Sequence, residues 1–277
     1  MSQILKGKTV FITGASRGIG RAIALACAAD GANVVIAAKS DRPHPKLPGT
    51  IHGVVEEVQE AGGQGLAIKL DVQDEQAVAA AMEQAAAHFG GIDCLVNNAG
   101  AIRLQGVAQL PVKRYDLIQA VNSRAVFVCS QAALPWLRES NHGHILNLSP
   151  PLNLNRKWFA QYAPYTLSKY GMSMLTIGMA EEFRKLPVSV NSLWPRTLIA
   201  TAAIEFEVGG PEMMRRGRKP AIMADAALAL LRRPAGHTTG ECLLDEDVLL
   251  QDGITDLSSY RYDPHGPELM TDLFLDD

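Results

Sequence analysis

The chain has 277 residues, 47% of them apolar and 20% charged, with a formal charge of −3. That is enough apolar material for a large core, and the charge balance gives no general electrostatic reason to hold nucleic acid, so a small-molecule partner is expected. No 18-residue apolar run occurs, and the glycine-containing stretch near the N-terminus arrives before a secretory-type apolar region can develop, so no membrane association is expected.

Seven apolar runs punctuate the chain in order: "TVFI" (9–12), "NVVIAA" (33–38), "GLAIKL" (65–70), "IDCLVN" (92–97), "HILNLS" (144–149), "VSVNSLW" (188–194) and "ECLLD" (241–245). They lack polar alternation, which suits strands buried on both faces, and helical patterns separate them. The expectation is an α/β fold: one Rossmann-type domain over 1–277, a doubly wound parallel sheet of about seven strands with helices on both sides. Asp74 is placed to cap the helix "EQAVAAAMEQAAAHF", which Gly90 and Gly91 close. The proline-rich segment "KSDRPHPKLPGT" (39–50) cannot be regular structure. Residues 195–222 mix Pro, Gly and a basic cluster and read as a loop/helix lid over a substrate, with the next helix at about 224–233. The tail 251–277 is expected to pack on the surface or on another subunit. Cys27, Cys94, Cys129 and Cys242 are scattered without metal spacing and read as buried thiols of a reducing compartment, hence cytoplasmic. His142 and His144 precede a strand without a nearby acid or thiol, so no metal is expected.

Between the first strand and first helix, "TGASRGIG" sets Gly14, Gly18 and Gly20 where free helix-terminal amides can meet a pyrophosphate. Further on, Tyr165 and Lys169 stand at i and i+4 on one helix face. A phenol with its ordinary pKa near 10 is a poor base, and lowering it toward 7 takes roughly 4 kcal/mol. One ammonium about 4 Å away supplies about that much at an effective dielectric near 20. Ser149 ends a strand, the place where ligands bind open α/β sheets, and its hydroxyl can orient a substrate oxygen. It is not in a nucleophile elbow, so serine hydrolysis is not expected.

"TGASRGIG", "DV" (71–72), "NNAG" (97–100), Asn122, Ser149 and Tyr165-x-x-x-Lys169 occur in the order of the short-chain dehydrogenase/reductase family, which the chain resembles from about residue 7 to 250. "GGIDCLVNNAGAI" and "YTLSKYGMSMLTIGMAEEF" narrow the resemblance to a branch whose larger members carry a lipid-carrier domain after the dehydrogenase, which this chain is expected to lack. The resemblance implies an NAD(P)-dependent oxidoreductase with Asn122, Ser149, Tyr165 and Lys169 as catalytic residues. For the cofactor it implies Gly14, Ser16, Arg17, Gly18, Ile19, Gly20, Lys39, Asp71, Val72, Asn98, Ala99, Gly100, Tyr165, Lys169, Pro195 and Thr197. Within that set Asp71 would bond the adenine, Lys169 the nicotinamide ribose, and Asn122 a water linking Lys169 to solvent. Asn97 would hold the central strands together. Lys39 at the tip of the second strand and Arg17 in the loop favour NADP(H), with NAD(H) possible should Asp41 turn inward.

The text also departs from the family pattern. Arg196 replaces the usual glycine after the sixth strand and is free in principle to reach a phosphate or a substrate carboxylate. The insert "PLNLNRKWFAQ" (151–161) brings apolar side chains toward the expected pocket, so the substrate is expected to be an apolar ketone or aldehyde and its alcohol. The cations of "RRGRK" (215–219) form either a solvated face or a seat for an anionic head group. Relatives usually assemble through the helices holding Asn122 and Tyr165, which implies a homodimer or homotetramer. Two alternatives remain on the same fold: a catalytically silent nucleotide sensor or scaffold, and a lyase or isomerase.

Overall fold

The computed structural model describes residues 3–44 and 47–276; Pro45 and Lys46 of the proline-rich segment and Asp277 of the tail lie outside the described residues. Seven strands run through it: β1 (Thr9–Thr13), β2 (Asn33–Ala38), β3 (Gln64–Lys69), β4 (Cys94–Asn97), β5 (Gly143–Asn147), β6 (Val188–Trp194) and β7 (Cys242–Leu244). They pair in parallel in the order β3-β2-β1-β4-β5-β6-β7. The strands match the apolar runs of the sequence to within two residues at their ends.

The helices are α1 (Gly18–Ala29), α2 (Ile51–Glu60), α3 (Glu75–Phe89), α4 (Val112–Gln119), α5 (Ala125–Leu137), α6 (Lys157–Ala160), α7 (Ala163–Glu182), α8 (Gly210–Met214), α9 (Ala221–Leu231) and α10 (Asp245–Gln251). A π-helical turn, Ala120–Arg124, joins α4 to α5. Asp74 caps α3 by accepting from the amides of Gln76 and Ala77, and Gly90 ends it in the left-handed region at φ 89°. Residues 195–222, read as loop and helix, hold α8 and a second π turn, Ile204–Val208.

Strand alternation splits the core into two layers. Val10 and Ile12 of β1 face α1, α2, α9 and α10, whereas Phe11 between them faces the side of α3, α5 and α7. Both faces are covered, which explains why the strands read as continuous apolar runs. Inside this core a polar rung crosses the sheet: Asn97 Nδ2 donates to Asn147 Oδ1 at 2.8 Å, and Asn147 Nδ2 to Thr176 Oγ1 of α7 at 2.8 Å. Asn97 therefore ties β4 to β5, and Asn147 ties β5 to the helix bearing Tyr165. Among the described residues no helix is long and apolar enough to cross a membrane.

The chain leaves β1 for β2 on one side and reaches β4 on the other, so a crevice opens beyond the carboxyl ends of β1 and β4, where such sheets bind ligands.

His142 and His144 are used structurally. Their Nε2 atoms lie 2.7 Å from Leu231 O and 3.1 Å from Arg233 O, so the pair fastens β5 to the end of α9. Burial, reinforced by His142, lowers the His144 pKa from 6.5 to about 4. The folded state thus resists a proton that the unfolded chain accepts below pH 6.5, and stability falls as pH drops from 6.5 toward 4, by at most about 3 kcal/mol for this group. In urea titrations across that window, the wild type is expected to lose more stability than His144→Gln, which keeps a donor and cannot titrate; parallel losses would remove His144 as the cause.

Candidate active site

The loop after β1 and the start of α1 build the floor of the crevice. Gly18 has φ 59°, and a Cβ there would meet nothing nearer than Thr201 at 3.6 Å, so its face is open. Gly20 serves packing instead: a Cβ would stand 2.4 Å from Asn98 Nδ2, the group that donates to Thr13 O and Gly14 O and locks the β4 loop to the β1 loop.

A cleft of about 510 Å³ runs over this floor, lined by Gly14, Ser16, Arg17, Gly18, Ile19, Lys39, Asp71, Val72, Asn98, Ala99 and Gly100 together with Ser40, Leu47, Val121 and Phe206. Eleven of the residues expected to hold a dinucleotide thus meet in one crevice. Gly20, Tyr165, Lys169, Pro195 and Thr197 are not part of its lining. The size, the open glycine and the α1 N-terminus without a side-chain cap suit a dinucleotide diphosphate.

Beside the tip of β2, Arg17 is held by the proline-rich segment, donating to Pro48 O at 2.8 Å and Ser40 Oγ at 3.0 Å. Lys39 Nζ lies 3.5 Å from Asp71 Oδ2. Burial opposes the Asp71 charge, but bonds from Gln73 and the Lys39 charge hold its carboxyl below the usual range. Asp41 turns outward to Lys69 at 2.9 Å and is not in the cleft lining.

The four residues expected to be catalytic lie toward β5 and α7. Lys169 Nζ donates to Leu148 O at 2.8 Å, and Ser173 Oγ to Pro150 O at 2.6 Å, so one face of α7 grips the residues on both sides of Ser149. Ser149 Oγ is buried without a partner, as is Thr197 Oγ1 in the loop after β6. Buried hydroxyls rarely stay unpaired, so both are candidates to meet a ligand's polar atoms, although neither lines the cleft. Asn122, in the π turn, accepts from Ala101 N at 2.9 Å and donates to Ser168 Oγ at 2.9 Å, which in turn donates to Tyr165 O at 2.8 Å. A Cβ on Gly100 would stand 3.5 Å from Asn122 Oδ1 and 4.0 Å from Lys169 Nζ, so this glycine leaves space between the two groups.

Lys169 is 7% exposed, with Nζ 5.1 Å from the centre of the Trp194 ring. Burial lowers its pKa from 10.5 to about 8, partly offset by Asp272. Burial, then Asp272 and Tyr162, push the Tyr165 phenol upward. The sequence argument expected a phenol drawn down by Lys169; in this structure desolvation of the phenolate dominates, and the charges acting on it, Asp272 and Tyr162, push the same way.

The tail supplies residues that sequence reasoning missed. It packs on the outside of the domain, as expected, and there doubles back over the end of β6: Leu198 N donates to Met270 O at 2.9 Å, Asp272 N to Arg196 O at 3.0 Å, and Trp194 Nε1 to Leu273 O at 3.0 Å. Phe274 is fully buried and lies flat against Tyr165, ring centres 6.0 Å apart at 28°. Its φ of 73° makes it the one non-glycine in the left-handed region among the described residues. That conformation costs about 1–3 kcal/mol, and burying a phenyl ring returns about as much before its aromatic contacts are added. Burial, with Asp245 adding to it, raises the Asp272 pKa to about 7 against the opposing Leu273 amide and Lys169 charge. The apolar "LFL" within "TDLFLDD" was the available signal.

The structure narrows two readings of cations that the sequence left open. Arg196 reaches Asp247 at 2.5 Å and Glu246 at 3.7 Å, and is therefore spent on α10 rather than aimed at a ligand. The run 215–219 clamps the tail: Arg215 pairs with Asp263 at 2.8 Å, Arg216 donates to Glu268 O, buried Arg218 bonds Glu246 and Leu257 O, and Lys219 donates to Ser259 O.

Residues 8–206 match the family model of the short chain dehydrogenases. The chain is 53% identical over 272 residues to hydroxysteroid dehydrogenase-like protein 2 of Danio rerio, covering 98% of this chain and 65% of that protein, so it spans just under two thirds of that relative's length. A solved short chain dehydrogenase from Mycobacterium thermoresistibile superposes with a TM-score of 0.92 at 50% identity, covering 99% and 96% of the two chains. A metagenomic short-chain oxidoreductase solved in complex with NADP gives a TM-score of 0.72 at 29% identity, covering 87% of this chain and 97% of that one. With the sheet order, the crevice and these matches together, the chain belongs to the short-chain dehydrogenase/reductase family.

Proposed function

We propose that this chain interconverts an apolar ketone or aldehyde and its alcohol, with NADP(H) carrying the hydride and Tyr165 moving the proton. The observation that carries the reading is the unpartnered Ser149 hydroxyl, buried where α7 presents Tyr165 and Lys169. A bound nicotinamide supplies the two-electron chemistry. Ser149 accepts the task of orienting the carbonyl oxygen. Tyr165, whose phenol rests protonated, gives its proton to that oxygen as negative charge develops there, since an alkoxide is far more basic than a phenolate. The buried Lys169 ammonium then stabilises the phenolate left behind, and Asn122 and Gly100 flank the space through which a water returns a proton.

Arg17 and Lys39 at the adenosine end, with Asp41 turned to Lys69, support a 2′-phosphate over a free ribose hydroxyl. The segment 195–222 is assigned the role of a lid, and the chain is assigned to a homodimer or homotetramer. Phe127 of α5 and Met174 and Ile177 of α7, 50%, 57% and 45% exposed, support that assembly.

Three measurements test this. Tyr165→Phe is expected to lower kcat for reduction of a turned-over ketone by about 10²–10⁴ with NADPH affinity retained; undiminished turnover would overturn the proton role. Lys39→Ala is expected to weaken NADPH binding with little effect on NADH; equal losses for both would remove Lys39 from 2′-phosphate recognition. Light scattering should give twice or four times the monomer mass, and Met174→Glu should lower it; a monomeric wild type would contradict the assembly.

A further inference from the structure

Three structural threads meet at the end of the chain. The first is anchoring. Residues 270–272 pair with the loop after β6 through an antiparallel bridge between Thr197 and Thr271, and Asn153 Nδ2 of the insert after β5 donates to Phe274 O at 3.1 Å and Asp276 Oδ2 at 2.9 Å. Lys157 Nζ adds an ion pair to Asp276 at 2.7 Å. The segment therefore spans from the β6 loop to the β5 insert, passing over α7 between them.

The second thread is what it covers. Phe274 packs among Trp158, Tyr162, Tyr165, Tyr170 and Trp194, with ring centres 5.2–6.5 Å away, and Tyr165 is left 4% exposed. The third is what remains uncovered: the dinucleotide cleft is open, yet Tyr165 is not in its lining. A carbonyl compound approaching the phenol from the side away from the nucleotide thus meets the strap first.

We propose that the segment Met270–Asp276 is the outer wall of the substrate pocket and that Phe274 is the residue setting the size of the carbonyl compound admitted to Tyr165. The inference rests on the reading of Tyr165 as the proton donor. The substrate class it selects is small or flat and apolar, since rings line the wall and a bulky group would have to displace Phe274 from a fully buried position. Asp272, on the same strap, faces Lys169 of α7 and Asp245 of α10, together with Tyr165 and Tyr162, so a displaced strap also removes a carboxyl group from the reacting centre.

The test uses cyclohexanone, acetophenone and 2-acetylnaphthalene as probes of increasing size. With Phe274→Ala, the ratio of kcat/KM for 2-acetylnaphthalene to that for cyclohexanone is expected to rise about tenfold or more, with NADPH binding by fluorescence unchanged. Calorimetric titration of 2-acetylnaphthalene into the NADP⁺-saturated proteins, where a ketone meets oxidised nucleotide and cannot react, reads the same pocket without turnover, and should show about tenfold tighter binding to the variant. That arm separates the two claims: silent kinetics with tighter binding would sink the redox reading alone. Because Phe274→Ala can destabilise the aromatic cluster, Asp276→Lys loosens the strap from outside it and should move both readouts in the same direction, with Lys157→Asp in the same chain restoring them. Unchanged size preference and unchanged 2-acetylnaphthalene binding in both folded variants would overturn the inference.

Discussion

A single buried cation organises the region around Ser149 and Tyr165. The Lys169 ammonium is taken almost wholly out of water, which on its own is expensive, and it is retained through a bond to Leu148 O and the face of the Trp194 ring. Those partners fix α7 against the end of β5, and with α7 fixed, Tyr165 is held and Ser149 is bracketed from both sides. The polar rung Asn97–Asn147–Thr176 then carries the same alignment back into the sheet. Charge, helix and strand ends are parts of one arrangement.

The cleft and the region around Tyr165 are built by different physics. The cleft is a matter of backbone: an open glycine, an uncapped helix start, and the Asn98 side chain stitching two loops together. The region around Tyr165 is a matter of desolvation. Burial lowers Lys169 and raises Tyr165, and Asp272 acts on both, raising each. The phenol therefore rests protonated, which is the state the proposed proton donation requires.

Much of this was legible in the residues. The strands carried continuous apolar runs because both faces are covered, and Asp74 and Gly90 marked the ends of α3 because capping is local. The glycine loop, Ser149 and the Tyr165–Lys169 spacing pointed to neighbouring parts of one end of the sheet. What stayed hidden is non-local. The apolar "LFL" of the tail says that something buries it but not that it returns to β6, and the role of 215–219 as a clamp depends on Asp263 and Glu268 some fifty residues later. The direction of the Tyr165 shift was likewise unreadable, because a spacing of four reports a nearby charge and not the water removed around it.

The central claim is that the Lys169 charge, and not position on the helix alone, makes the Tyr165 phenol able to give up its proton once the nucleotide is bound. Tyrosine-selective carbon-13 labelling, with the Tyr165 signal assigned through Tyr165→Phe, allows that phenol to be titrated in the NADP complex of the wild type and of Lys169→Met. Tyr165 should titrate about three pH units lower in the wild type, the shift an ammonium brought to about 4 Å from the phenol in that complex supplies at an effective dielectric near 20. Titration at the same pH in both proteins would contradict it.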